Sequence, residues 1–152
     1  LLRRQQRPKM GRMLSGRCLC EGVAYEIEGE LGPAYNCHCS KCRRWHGAAF
    51  RSRVSIRTEQ FRWVQGEELL SRFPLGKVTR VFCKVCGSNL ISTYADRPEV
   101  LGLPLGGLEQ HPGRVPEAHI FVGSKSPWYE ITDDLPQFDA WPGEEAKVRQ
   151  TR

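Results

Sequence analysis

At 152 residues, 39% hydrophobic and 26% charged, the chain suits one soluble domain with a core of its own. No stretch approaches the ~18 consecutive apolar residues of a membrane span, and the basic start "LLRRQQRPKMGRML" lacks the apolar segment of a secretory signal. The formal charge of +6 is accounted for by residues 1–17, where Arg3, Arg4, Arg7, Lys9, Arg12 and Arg17 stand without an acid. The charge pattern therefore argues against a dedicated nucleic-acid face, and a cytoplasmic protein without a membrane partner is expected.

Residues 1–15 read as a basic disordered tail or an extension, with Met10 or Met13 as the natural start. Weak, salt-sensitive contact with nucleic acid is the most such a tail offers. "VAYEIEGE" at 23–30 alternates, which predicts a strand with Val23, Tyr25 and Ile27 on one face. "SKCRRWH" predicts one helical turn. Short apolar runs then predict strands at 50–56, 61–64, 69–73, 78–82, 90–94, 99–103 and 119–123. Fifteen Gly and ten Pro punctuate these runs. The Pro- and Gly-rich part after Leu101 predicts a wrap around the sheet, anchored by Trp128 and Trp141, and residues 141–152 read as a C-terminal tail. The fold class is mainly β with short helical turns.

The chemistry lies in seven cysteines. They fall as C-x-C (Cys18, Cys20), C-x-C-x-x-C (Cys37, Cys39, Cys42) and C-x-x-C (Cys83, Cys86). An odd number without a secretion signal argues against a disulfide framework and for metal. Zinc is the expected ion, because thiolates at ~2.3 Å suit its tetrahedral shell. An iron–sulfur cluster would want four cysteines in its own spacing.

One partition keeps the clusters whole. Cys18, Cys20, Cys83 and Cys86 would form a closed structural site from distant parts of the chain. Cys37, Cys39 and Cys42 would form a local claw with one position open, which is the mark of a catalytic zinc. Spacing leaves other partitions open, such as Cys18, Cys20, Cys37 and Cys39 together. His38 lies between two claw residues and is expected to point away from them. His46, four residues past Cys42, reads as a neighbour of the claw or as its fourth ligand. His111 and His119 lie far along the chain, and His119 reads as a hydrogen-bonded residue at the edge of the core.

Residues 41–62 carry Lys41, Arg43, Arg44, Arg51, Arg53, Arg57 and Arg62 against Glu59 alone. Two compatible readings follow. The block offsets thiolate charge, or it recognises an anionic small molecule through arginine–carboxylate pairs. Arg43, Arg44, Arg51 and His46 are the candidate substrate-binding residues.

"GRCLCEGVAYEI", "NCHCSKCRRWHGAAF", "RVFCKVCGSNL" and "HIFVGSKSPWYEITDDLPQFD" together resemble the glutathione-dependent formaldehyde-activating enzyme family, which also includes centromere protein V. The resemblance spans about Gly16 to Asp139, within a domain placed at 16–140. It implies a β-tent fold with two zinc ions per chain, a structural one on Cys18, Cys20, Cys83 and Cys86 and a second on Cys37, Cys39 and Cys42. It also implies a carbon–sulfur lyase activity that joins a thiol such as glutathione to formaldehyde. The competing expectation is a non-catalytic module, stabilised by zinc, that binds a protein or nucleic acid.

Overall fold

The computed structural model describes residues 11–142 and 148–149. The chain order is β1 (Met13–Arg17), β2 (Ala24–Glu28), β3 (Ala34–Cys37), α1 (Ser40–His46), β4 (Arg51–Arg57), β5 (Phe61–Gln65), β6 (Leu70–Leu75) and β7 (Val78–Cys83). There follow β8 (Asn89–Tyr94), β9 (Val100–Pro104), β10 (His119–Ile120), β11 (Gln137–Phe138) and β12 (Val148–Arg149). The mainly β expectation holds. None of the helices among the described residues is long and apolar enough to cross a membrane.

Two sheets form. Strands β1, β2 and β5 make a three-stranded antiparallel sheet, and the other nine run in the order β12-β11-β10-β3-β4-β9-β8-β7-β6. The short β10 pairs in parallel with β3 and β11, which places the late wrap beside the cysteine-bearing strand. The core lies between the sheets. Leu14, Tyr25 and Ile27 of the small sheet pack with Val54, Ile56, Val81, Leu90, Leu101 and Leu103 of the large one. Alternation in β2 delivers Tyr25 and Ile27 to that face, as its sequence predicts.

The tail expected over residues 1–15 ends earlier than its composition suggests. Met13–Arg17 pairs along its whole length with β2, and Leu14 is buried. Gly16 is needed here for space, since a Cβ would lie 2.2 Å from Tyr25 Cζ. Residues 1–10 lie outside the described residues.

At the other end, β12 pairs with β11, so the expected tail 141–152 contains a sheet strand. The strand expected at 119–123 stops at Ile120, because Phe121 turns into the left-handed region with φ 56° and leads into a 3-10 turn. The helical turn expected from "SKCRRWH" is a seven-residue helix that ends where Gly47 takes φ 59°.

The two tryptophans of the wrap part company. Trp141 packs edge-on against Tyr35 and Phe121, with the Arg53 guanidinium 4.9 Å above its ring. Trp128 is 73% exposed and touches Tyr129 edge-on, so it does not anchor the wrap. Trp128→Ala is therefore expected to change stability by no more than about 0.5 kcal/mol, read as an unchanged denaturant midpoint. A larger loss would place the ring in the packing after all.

Candidate functional site

The seven cysteines come together as one group of four and one group of three. In Cys18, Cys20, Cys83 and Cys86 the sulfurs all lie within 4.8 Å of one another, and the same holds for Cys37, Cys39 and Cys42. No disulfide joins any of them. The two groups correspond to the partition that keeps the clusters whole.

The four-thiol group is built from two turns. One follows β1, where Cys18 N–H donates to the Val23 carbonyl and Val23 N–H donates to Cys18 Sγ at 3.3 Å. The other follows β7, where Gly87 N–H donates to the Cys83 carbonyl. Ser88 fastens them together. Its hydroxyl accepts from Leu19 N–H at 2.8 Å and lies 3.2 Å from Cys86 Sγ. That hydroxyl contact is the chief reason the Cys86 thiol is drawn down to about 5. At Cys20 the Gly22 N–H pulls the other way from the crowding thiols of Cys18, Cys86 and Cys83, which prevail and push it up to about 12. Four thiols this close repel one another as anions unless a cation sits among them, so the donor set and its geometry fit a resident metal.

The three-thiol claw straddles the join of β3 and α1. Cys37 ends the strand, and Cys39 caps the helix by accepting Cys42 N–H on its Sγ at 3.3 Å. Cys42 occupies the first turn. Cys37 and Cys42 are buried against Ile120, Tyr35, Phe121 and Phe138, while Cys39 is partly open. Hydrogen bonds from Cys37 and Cys39 hold the Cys42 thiol far below its ordinary range, and the charges of Arg80 and Arg51 add to this. Contacts with Cys39 and then Cys42, together with burial, push Cys37 well above its range.

Beneath the claw lies a polar layer. On β4, Arg51 and Arg53 share one parity while Val54 and Ile56 share the other, and all four are buried. Arg80 of β7 reaches Cys42 Sγ with Nη2 at 3.5 Å and Ser92 Oγ with Nη1 at 2.8 Å. Arg51 donates to the same Ser92 oxygen at 3.2 Å and to the Gly102 carbonyl at 3.2 Å. Neither guanidinium is ion-paired with a carboxylate among the described residues. Their charge faces the claw.

The four candidate substrate-binding residues fall in two pairs, Arg43 and Arg44 on one cleft and Arg51 and His46 within electrostatic reach of each other. Arg43 is engaged as a strap, donating to the carbonyls of His38 and Ser124 and to Ser126 Oγ. Arg44 is exposed and lines a shallow cleft with Trp128. Arg51 is buried in the polar layer, with its Nη atoms engaged by Ser92 and Gly102. His46 ends α1, one helical turn from Cys42, with Asn89 Nδ2 3.1 Å from its Nδ1. Burial first, and then the Arg51 charge, draws its imidazole down to about 4.

His38 points away from the claw, as expected. It is buried against Phe50 and Tyr129, with its Nε2 2.8 Å from His119 Nδ1, and His119 in turn meets Asp133 at 3.0 Å. This chain ties the claw strand to the wrap. Sequence reasoning missed Arg80, the guanidinium in contact with the claw. "VTRVF" offers it only as the polar member of an alternating strand.

The family signature described as "Glutathione-dependent formaldehyde-activating enzyme" matches residues 13–124. The chain belongs to that family. An uncharacterized lyase of Schizosaccharomyces pombe is 28% identical over 82 residues, which is 53% of this chain and 58% of the relative. The match therefore spans little more than half of that lyase. A crystal structure of a Rhodobacter sphaeroides protein is similar at 30% identity with a TM-score of 0.55, covering 67% of this chain and 97% of that one. All seven cysteines fall inside the family match, and so do Arg80, Asn89 and His46.

Proposed function

We propose that the chain is a carbon–sulfur lyase that joins a thiol such as glutathione to a small aldehyde such as formaldehyde, with one zinc ion at each cysteine group. The observation that carries this reading is the inequality of the two groups. Four thiols close one site, and three thiols with two uncompensated guanidinium ions beside them form the other. Cys18, Cys20, Cys83 and Cys86 would hold the structural ion, and Cys37, Cys39 and Cys42 the second. A zinc ion on three thiolates supplies a place where a further thiol is favoured as thiolate at neutral pH.

The protein's own residues do the rest. Cys39 is the partly open side of the claw and gives access to it. Arg80 and Arg51 offset the negative charge that three or four sulfurs gather there. Arg43 ties α1 to the wrap at Ser124 and Ser126, and the exposed Arg44 remains available to a substrate carboxylate. Seven free thiols suit a reducing compartment such as the cytoplasm.

The test uses cobalt-substituted protein titrated with glutathione, watching the thiolate-to-metal absorption. Exchange between formaldehyde and its glutathione adduct is followed in parallel by NMR, with Cys39→Ser as control. Wild type should exceed the uncatalysed exchange, which is itself fast, and the variant should fall back to it. An unchanged spectrum together with exchange at the uncatalysed rate would favour a non-catalytic zinc module instead.

A further inference from the structure

His46 carries an observation that the reading above leaves unused. Its Nε2 is buried and has no hydrogen-bond partner. Its other nitrogen is not free to choose a role. The side-chain amide nitrogen of Asn89 lies 3.1 Å from His46 Nδ1 and 3.4 Å from the Trp45 carbonyl. A carbonyl only accepts, so Asn89 must present its NH₂ on that side. The same NH₂ faces Nδ1, which makes Nδ1 an acceptor and leaves the ring proton on Nε2.

The surroundings say what such a donor would serve. His46 stands four residues after Cys42 on α1, so both lie on one helix face. The ring sits in the electrostatic field of Arg51, Arg80 and Cys42. It also lines an open cleft of about 520 Å³ together with Asn89, Ser88, Leu108 and Cys18 of the four-thiol group. The arginine Nη atoms are already committed to Cys42, Ser92 and Gly102. Among the described residues Arg51 Nε, Arg80 Nε and His46 Nε2 are buried here without a partner, and of these three residues His46 is the one that lines the cleft.

We infer that His46 is the oxyanion donor of the site, with Asn89 as the positioning residue that fixes its Nε2–H tautomer. This rests on the reading above. The thiol gives its proton to solvent on becoming thiolate, and a sulfur lone pair forms the C–S bond to the aldehyde carbon. The carbonyl π pair moves to oxygen, which accepts the hydrogen bond from His46 Nε2–H and then takes a proton from water. One thiol and one aldehyde give one hemithioacetal, nothing is oxidised or reduced, and the reverse reaction retraces the path. The ring stays neutral throughout, because neither its own Nε2–H nor the amide N–H of Asn89 is acidic enough to be given up to the oxyanion or to the ring. A donor preset where charge develops needs no rearrangement during the reaction.

The test has two readouts on the metal-loaded protein. Nitrogen-15 NMR of the His46 ring should show the Nε2–H tautomer in wild type, and Asn89→Asp should convert it to Nδ1–H, because a carboxylate accepts where the amide donated. Glutathione–formaldehyde exchange should fall by roughly 10²-fold, or to the uncatalysed rate, in His46→Phe and Asn89→Asp. His46→Gln, which keeps an N–H, should recover part of it. Metal content and melting temperature report whether each variant is folded. A wild-type Nδ1–H tautomer overturns the inference whatever the activity. Exchange that persists undiminished in His46→Phe overturns it and leaves the lyase reading standing. Wild-type exchange at the uncatalysed rate overturns that reading and the catalytic role of His46 together, while the tautomer still reports whether the donor is set.

Discussion

Cys83→Ser should leave a chain that no longer folds under conditions where the wild type is native. Cys83 is fully buried at the end of β7, and its sulfur lies 3.8 Å from Cys20 Sγ. The four-thiol group joins the turn after β1 to the turn after β7, and so joins the small sheet to the large one. Binding energy at such a site is folding energy, on the order of 10 kcal/mol for a structural zinc. That equals the whole stability of a typical domain. Loss of one thiolate forfeits much of it and leaves a hydroxyl among sulfurs in the core. Cys39→Ser should behave differently, because Cys39 is partly open and its claw is local to one β3–α1 segment. The measurement pairs metal content with thermal melts. Cys83→Ser should lose both ions and its cooperative transition, and Cys39→Ser should keep one ion and its transition. Equal unfolding of the two variants would end the division of the sites into structural and reactive.

Part of the contrast between these variants was legible in the spacing. Short C-x-C and C-x-x-C turns force paired sulfurs together at small entropic cost, so the clusters needed no knowledge of the fold. The joining of Cys18 and Cys20 to Cys83 and Cys86 was one of the partitions that spacing left open. The strands with strong alternation or dense β-branched and aromatic residues were equally legible, β2 and β7 among them. The elements that escaped are those whose signal is tertiary. Strand β1 offers one buried apolar side chain, Leu14, within a basic stretch, and its pairing with β2 decides its state. Strand β3 is four residues long and shows no alternation that a window detects. Phe121 ends β10 through a left-handed backbone that no residue type at that position announces.

The polar layer was the least visible part of the site. Arg51 and Arg53 read from sequence as members of a basic block that offsets thiolate charge or meets an anionic molecule, with no sign that they are buried, and Arg80 does not stand out at all. The large sheet buries its second face beneath α1 and the wrap, and so turns them inward. Gly102 makes room for this, since a Cβ there would come within 2.4 Å of Tyr94 Oη and 3.2 Å of Arg53 Nη2. A strand position that looks exposed by period is buried when a later segment covers that face, and periodicity alone does not report the cover.

Arg80→Met should therefore damage the claw and spare the other site. The substitution keeps an unbranched chain and removes the guanidinium that donates to Cys42 Sγ at 3.5 Å and to Ser92 at 2.8 Å. Cys42 would lose the arginine that stands first among the charges holding it toward thiolate. Groups that hydrogen-bond metal ligands from outside commonly contribute 10–100-fold to affinity. The second metal equivalent should then be extracted by a chelator at roughly 10–100-fold lower strength, with the first unchanged. Arg80→Lys should fall between, since an ammonium keeps the charge but lacks the planar fork that spans Cys42 and Ser92 together. Ser92→Ala should weaken the claw less than Arg80→Met, because it unbraces Arg80 without removing it. The decisive measurement is a chelator competition that resolves two metal equivalents, run alongside a melt that reports the fold. If both equivalents leave Arg80→Met at the wild-type chelator strength, Arg80 is a packing residue and the guanidinium layer does not govern the claw.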